Sequence, residues 1–166
     1  MFAIYNKHNN DLYNKLVELS RNIFFYKDLS MKDIFETRII LIFIHFSCIL
    51  ISFKNNNKET FPQKIYDNIF LNIEYHLREE GFGDVAVNKK MKDMNKIFYD
   101  ILIKLNDGDN DNFKINKKIL EEYLFKDIEQ KNQYIGKMSV YLKGFYNFCF
   151  ELSKDNVLKG NINYKI

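Results

Sequence analysis

Three short stretches carry residue types and spacings that could do chemistry. Gly81-Phe82-Gly83-Asp84-Val85-Ala86 fits G-x-G-x-x-G/A, the turn that lets a backbone approach a pyrophosphate. That fingerprint has to follow a strand, and the residues before Gly81 have helical periodicity, so a turn is expected and a dinucleotide site is not. His45 and Cys48 stand at i and i+3 on one helix face, two ligands where a structural zinc needs four, so a core histidine with a hydrogen-bond partner is expected. Asp107-Gly108-Asp109-Asn110-Asp111 begins like a calcium loop. Its twelfth position is Lys118, where a bidentate glutamate is required, so a solvated loop is expected. His8 and His76 have no carboxylate or nucleophile at an informative spacing. No catalytic residue, no metal and no cofactor is predicted: the chain is not expected to be an enzyme.

Charged residues remain as candidates for binding. Glu74 lies four residues before Arg78, the favourable order for a helical ion pair. Arg78 can instead reach across Gly81 and Gly83 to Asp84, a charge-assisted bridge that would fix the turn. Lys89, Lys92 and Lys96 share one helix face beside Asp93, either a solvated face or a basic patch for phosphates or acidic loops.

These residues must be positioned by helices. Tyr66, Phe70, Ile73 and Leu77 form one apolar stripe; Met91, Met94, Phe98, Ile101 and Leu105 form a second. Between them Gly81 suits the residue just past a helix end, where a left-handed backbone is needed. The spacing predicts a helix–turn–helix hairpin over residues 66–105. A first helix is predicted from Asn9 to about Phe25, with Leu12, Leu16, Leu19 and Ile23 on its stripe. Ser30-Met31-Lys32-Asp33 has capping-box spacing and predicts the start of a second helix; Thr60-Phe61-Pro62-Gln63 predicts the start of a third, with Pro62 in its first turn. A polar loop is expected over 54–58, a fifth helix over about 115–125 and a sixth over about 130–152, burying Met138, Leu142, Phe145 and Cys149. Beyond Asp155 little is left to bury, and fraying is expected. The run Ile39–Phe53 holds 15 residues, including His45, Ser47 and Cys48, against the roughly 20 of a membrane span. A buried central helix is the better reading; shallow contact with a membrane surface is the other.

With 166 residues, 46% hydrophobic and 16% aromatic, the chain supports one substantial core. A single proline and abundant Lys, Glu, Asp and Asn at helical spacing favour an all-α domain of about six helices over residues 1–166. The net charge of +3 is too small to imply a polyanion partner by itself, and no DNA partner is predicted. Cys48 and Cys149 form no CxxC pair, so no disulfide framework is expected. The first ten residues lack a continuous apolar stretch, which predicts no signal peptide and a cytosolic location.

The string Leu77-Arg78-Glu79, Gly81, Gly83-Asp84, followed by Val87, Lys89, Met91, Lys92, Met94, Phe98 and Tyr99, resembles the core of the ubiquinol–cytochrome c chaperone family. About forty residues carry the resemblance, with weaker similarity from about Asp28 to Phe150. The chain departs from the pattern at Ala86, Asn88 and Asn106-Asp107. The resemblance implies a non-enzymatic assembly factor for the cytochrome bc complex (respiratory complex III) that binds newly made cytochrome b. It also implies work at the cytoplasmic or matrix-type face of the inner membrane, with the ribosome as a further partner. Leu77, Gly81, Gly83, Asp84, Met91, Phe98 and Tyr99 are its motif residues. A chaperone for a membrane protein needs an accessible apolar patch; Phe82 and Val85 are expected at its edge, with Arg78, Lys89 and Lys90 as a charged rim. The competing expectation is a ribosome- or RNA-binding module that uses the Lys89/Lys92/Lys96 face.

Overall fold

The computed structural model describes residues 10–166; His8, the expected helix start at Asn9 and the stretch before it lie outside the described residues. Within these residues the elements are α1 (Asp11–Ser20), α2 (Ile23–Lys27), α3 (Phe35–Asn57), α4 (Gln63–Glu79), α5 (Asp84–Lys104), α6 (Lys117–Leu120), α7 (Lys131–Glu151) and α8 (Lys154–Leu158). After α6 the chain widens into one π-helical stretch, Glu121–Phe125. Among the described residues, extended pairing is limited to one antiparallel bridge between Asn106 and Ile115.

α3 is the hub. Its composition leaves it no polar face, so it can be stable only when surrounded, and α1, α5 and α7 pack around it. Its 23 residues and mean hydropathy of 1.8 would let it cross a membrane by length and composition, yet 61% of that apolar window is buried inside the domain. It is the core helix. Phe43 and Phe46 meet Phe98 of α5 at ring-centroid distances of 5.3 and 5.7 Å. On the other side His45 packs edge-on against Phe145 of α7 at 4.9 Å. Its Nδ1–H donates to the Leu41 carbonyl (2.6 Å), which leaves Nε2 to accept from the Tyr141 hydroxyl (2.7 Å). This is the hydrogen-bonded core histidine the spacing predicts. Burial lowers its pKa to about 4, against a weaker opposing pull from the Leu41 carbonyl. Cys48 and Cys149 are buried free thiols; burial pushes Cys149 up to about 12.

Several expected boundaries move. The first helix breaks at Asn22, whose Oδ1 accepts from the Phe24 N–H (3.0 Å) and starts α2 in a new direction. Ile23 consequently leaves the apolar stripe and is 70% exposed. Ser30 does not cap α3: it sits at φ +55° and its hydroxyl donates to Tyr134 instead, while α3 starts later, at Phe35. Thr60 does not cap α4 either; Pro62 occupies the cap position itself, and its carbonyl accepts from Ile65 and Tyr66. The expected loop over 54–58 is mostly helix, because Asn55, Asn56 and Asn57 donate to Tyr146, Phe150 and Phe53 and extend α3 to Asn57. The segment after Asp155 does not fray. Val157 and Ile162 are buried, and Gly160 (φ +70°) lies so close to α1 that a Cβ would stand 2.6 Å from the Asp11 carbonyl oxygen.

Candidate functional site

The hairpin connector is built from the end of α4 outward. Leu77 is buried, and its carbonyl accepts from the Phe82 N–H (3.3 Å) while Arg78 accepts from the Gly81 N–H (3.0 Å). This pair of bonds is the Schellman closure, and it requires the left-handed backbone that Gly81 supplies at φ +96°. Gly83 differs. At φ −76°, ψ 169° it is the extended residue before α5, a conformation open to any side chain, and no atom lies within 4 Å of where its Cβ would stand. The left-handed backbone expected at Gly81 is present, and Gly83 has no need of one, because Gly81 alone completes the reversal.

Arg78 resolves the choice between its two carboxylates by taking both. One arm meets Glu74 at 3.1 Å and the other meets Asp84. The bridge to Asp84, then the one to Glu74, raises the already high guanidinium pKa. Asp84 also stands in the first turn of α5, where a negative charge suits the helix dipole. Arg78 thus belongs to the turn's own charge balance.

The apolar surface lies farther along the hairpin, between α4 and α5. Tyr66, Phe70 and Leu71 from α4 and Met91 and Tyr99 from α5 line a shallow groove of about 550 Å³, with Asp67 and Glu74 on its edge. Phe98 forms the layer beneath: fully buried, it meets Phe70 at 5.1 Å and Tyr66 at 5.9 Å. Tyr66 donates to the Tyr99 hydroxyl (3.1 Å), and burial followed by that contact pushes its pKa up. Leu71, Tyr75 and Tyr99 are 41, 45 and 49% exposed, unusual for side chains of this size.

The residues singled out from sequence divide among three places. Leu77 and Phe98 are core. Arg78, Gly81, Gly83 and Asp84 are brought together in the turn. Met91 and Tyr99 line the groove. Phe82 is 37% exposed, and the Lys90 ammonium lies 4.5 Å above its ring, a cation–π contact that shields part of it. Val85 is 85% exposed. Lys89, Lys92 and Lys96 are exposed along α5. Sequence reasoning placed Tyr66 and Phe70 on a core stripe and missed that they face outward in part. The available signal was Leu71 and Tyr75, apolar residues at i and i+4 outside that stripe.

The family model described as ubiquinol-cytochrome C chaperone matches residues 27–164. No curated protein gives a match. Among solved structures the chain is similar to the crystal structure of the Cbp3 homolog from Brucella abortus, at 22% identity and a TM-score of 0.69, covering 94% of this chain and 87% of that one.

Proposed function

This chain belongs to the ubiquinol–cytochrome c chaperone family, with the chaperone role that membership carries, and from that premise we propose that the outer face of the hairpin is where it holds its client. The client in this reading is newly made cytochrome b, on its way into the cytochrome bc complex, met at the cytoplasmic or matrix-type surface of the inner membrane. No chemistry is needed of the protein. The observation that carries the reading is the open groove over Phe98, lined by Tyr66, Phe70, Leu71, Met91 and Tyr99 among its polar neighbours. A membrane-protein helix awaiting assembly offers an apolar stripe, and an open groove with a few polar edges can hold such a stripe without enclosing it. Phe82 and Val85 extend the apolar surface at the turn, with Lys89 and Lys90 as their charged neighbours.

A tagged chain captured from cells that make cytochrome b tests this. Leu71→Ser with Tyr99→Ser should lower the cytochrome b recovered several-fold while leaving helix content and thermal stability near wild type. Undiminished recovery would place the client elsewhere. A second reading rests on the exposed Lys89, Lys92 and Lys96, which would suit ribosomal RNA. Salt separates the two: contacts to phosphate weaken steeply as ionic strength rises, whereas burial of an apolar stripe does not.

A further inference from the structure

A second depression lies where the end of α3, the α3–α4 connection, α5 and the 106–112 loop meet; its volume is about 680 Å³ and it shares no lining residue with the hairpin groove. Leu50, Ile51, Phe61 and Leu102 form its apolar floor, all half-buried. Lys54 and Lys58 stand on one lip, one helical turn apart and both exposed. Among the described residues neither has a carboxylate within ion-pair distance, whereas neighbouring Glu59 is taken up by Lys154. Like charges at i and i+4 repel each other, and an anion placed between them would remove that repulsion. The C-terminal turn of a helix favours cations, which accounts for lysines at this height on α3 but not for the apolar floor beneath them. Lys58 is also held at φ +53°, uncommon for a residue other than glycine.

Size and charge together narrow the occupant. A volume of about 680 Å³ is in the range of single small-molecule sites, roughly 300–1,000 Å³. The ligand must be apolar along most of its length and anionic at one end. We propose that this depression binds one anionic phospholipid, with acyl chain on the Leu50–Ile51–Phe61–Leu102 floor and phosphate between Lys54 and Lys58. Asp111, on the opposite lip, faces the polar part of the headgroup and disfavours a free, multiply charged anion. The site goes beyond client holding: it would seat the chaperone on the membrane by a single lipid.

Dihexanoyl phosphatidylglycerol and dihexanoyl phosphatidylcholine, below their micelle concentrations, can be titrated into the full chain by calorimetry. The glycerol lipid should bind about tenfold more tightly. Lys54→Gln and Lys58→Gly should each weaken binding of the glycerol lipid about fivefold. Because glycine adopts positive φ without strain, Lys58→Gly should hold or raise the melting temperature, which separates lost binding from lost folding. Leu102→Asp should abolish binding of both lipids. Equal affinity for the two lipids, inorganic phosphate binding as well as the glycerol lipid, tighter binding of an acidic apolar peptide, or an affinity untouched by all three variants would each overturn the proposal.

Discussion

α3 and α5 are almost equally long, 23 and 21 residues, and the fold uses them in opposite ways. α3 buries twelve side chains, His45 and two serines among them, whereas α5 buries only Val87, Phe98 and Ile101. The motif residues that resemble the chaperone family fall on the last turn of α4, the connector after it and the less buried helix α5. The core helix therefore explains why the chain folds, and the half-exposed hairpin is free to carry recognition. Phe98 is the point where the two regimes touch, since it packs on Phe43 and Phe46 below and on Tyr66 and Phe70 above.

The sharpest way to break this contrast is to cut at that point. Phe98→Ala should cost about 3–5 kcal/mol by urea denaturation, because the void lies between four aromatic rings that cannot all close in. A cost below about 1 kcal/mol would mean that the hairpin does not depend on α3. The interior itself can be probed by pH. His45 has a folded pKa of about 4 against 6.5 ordinarily, so the unfolded chain takes up the proton first. Its contribution is complete above about pH 6.5 and is lost as pH falls toward 4, by up to about 1.4 kcal/mol per unit. Denaturation midpoints across that window should show the slope, and His45→Gln, which can still accept from Tyr141, should flatten it.

At the turn the contrast becomes one between two glycines. Gly81→Ala should cost about 1–2 kcal/mol, since φ +96° is unfavourable for any side chain. Gly83→Val should cost at most about 1 kcal/mol, from a poorer helix cap alone. Equal costs would mean that the turn depends on something other than backbone conformation. The smallest expected effect is on Phe82→Ser, which should shift stability by under about 1 kcal/mol while weakening capture of cytochrome b. Unfolding without a separable binding defect would make Phe82 part of the cap and no more.

The legible parts of the sequence were those where one strong pattern met no competitor. Ile39–Phe53 has no polar face and is too short a run for a membrane span, so burial was the better of its two readings. The 66–105 hairpin has two clean stripes and a glycine where the chain reverses. Spacing and charge offered Arg78 both Glu74 and Asp84, and the family resemblance favoured Asp84. Ser30 and Thr60 misled because capping-box spacing is local and the deciding contacts are not: Ser30 is claimed by Tyr134, 104 residues away. Asn55 and Asn56 became helical for the same reason, through partners on α7. The groove was half legible. Excess apolar residues were visible, but which of them α3 would leave uncovered depends on packing that a periodicity does not contain.

The closeness of Gly160 to the Asp11 backbone bears on when this protein can finish folding. Residues about 150 positions apart must meet, with only a glycine's width between them. Tyr164 reinforces the meeting by packing on Tyr141, Phe145 and Phe148 of α7. A chain emerging from the ribosome cannot make that contact until Gly160 is outside, whatever helices have already formed. α1 thus has to wait for that segment to emerge before its first turn is covered. A stall or truncation before Gly160 leaves that end of the core open to water.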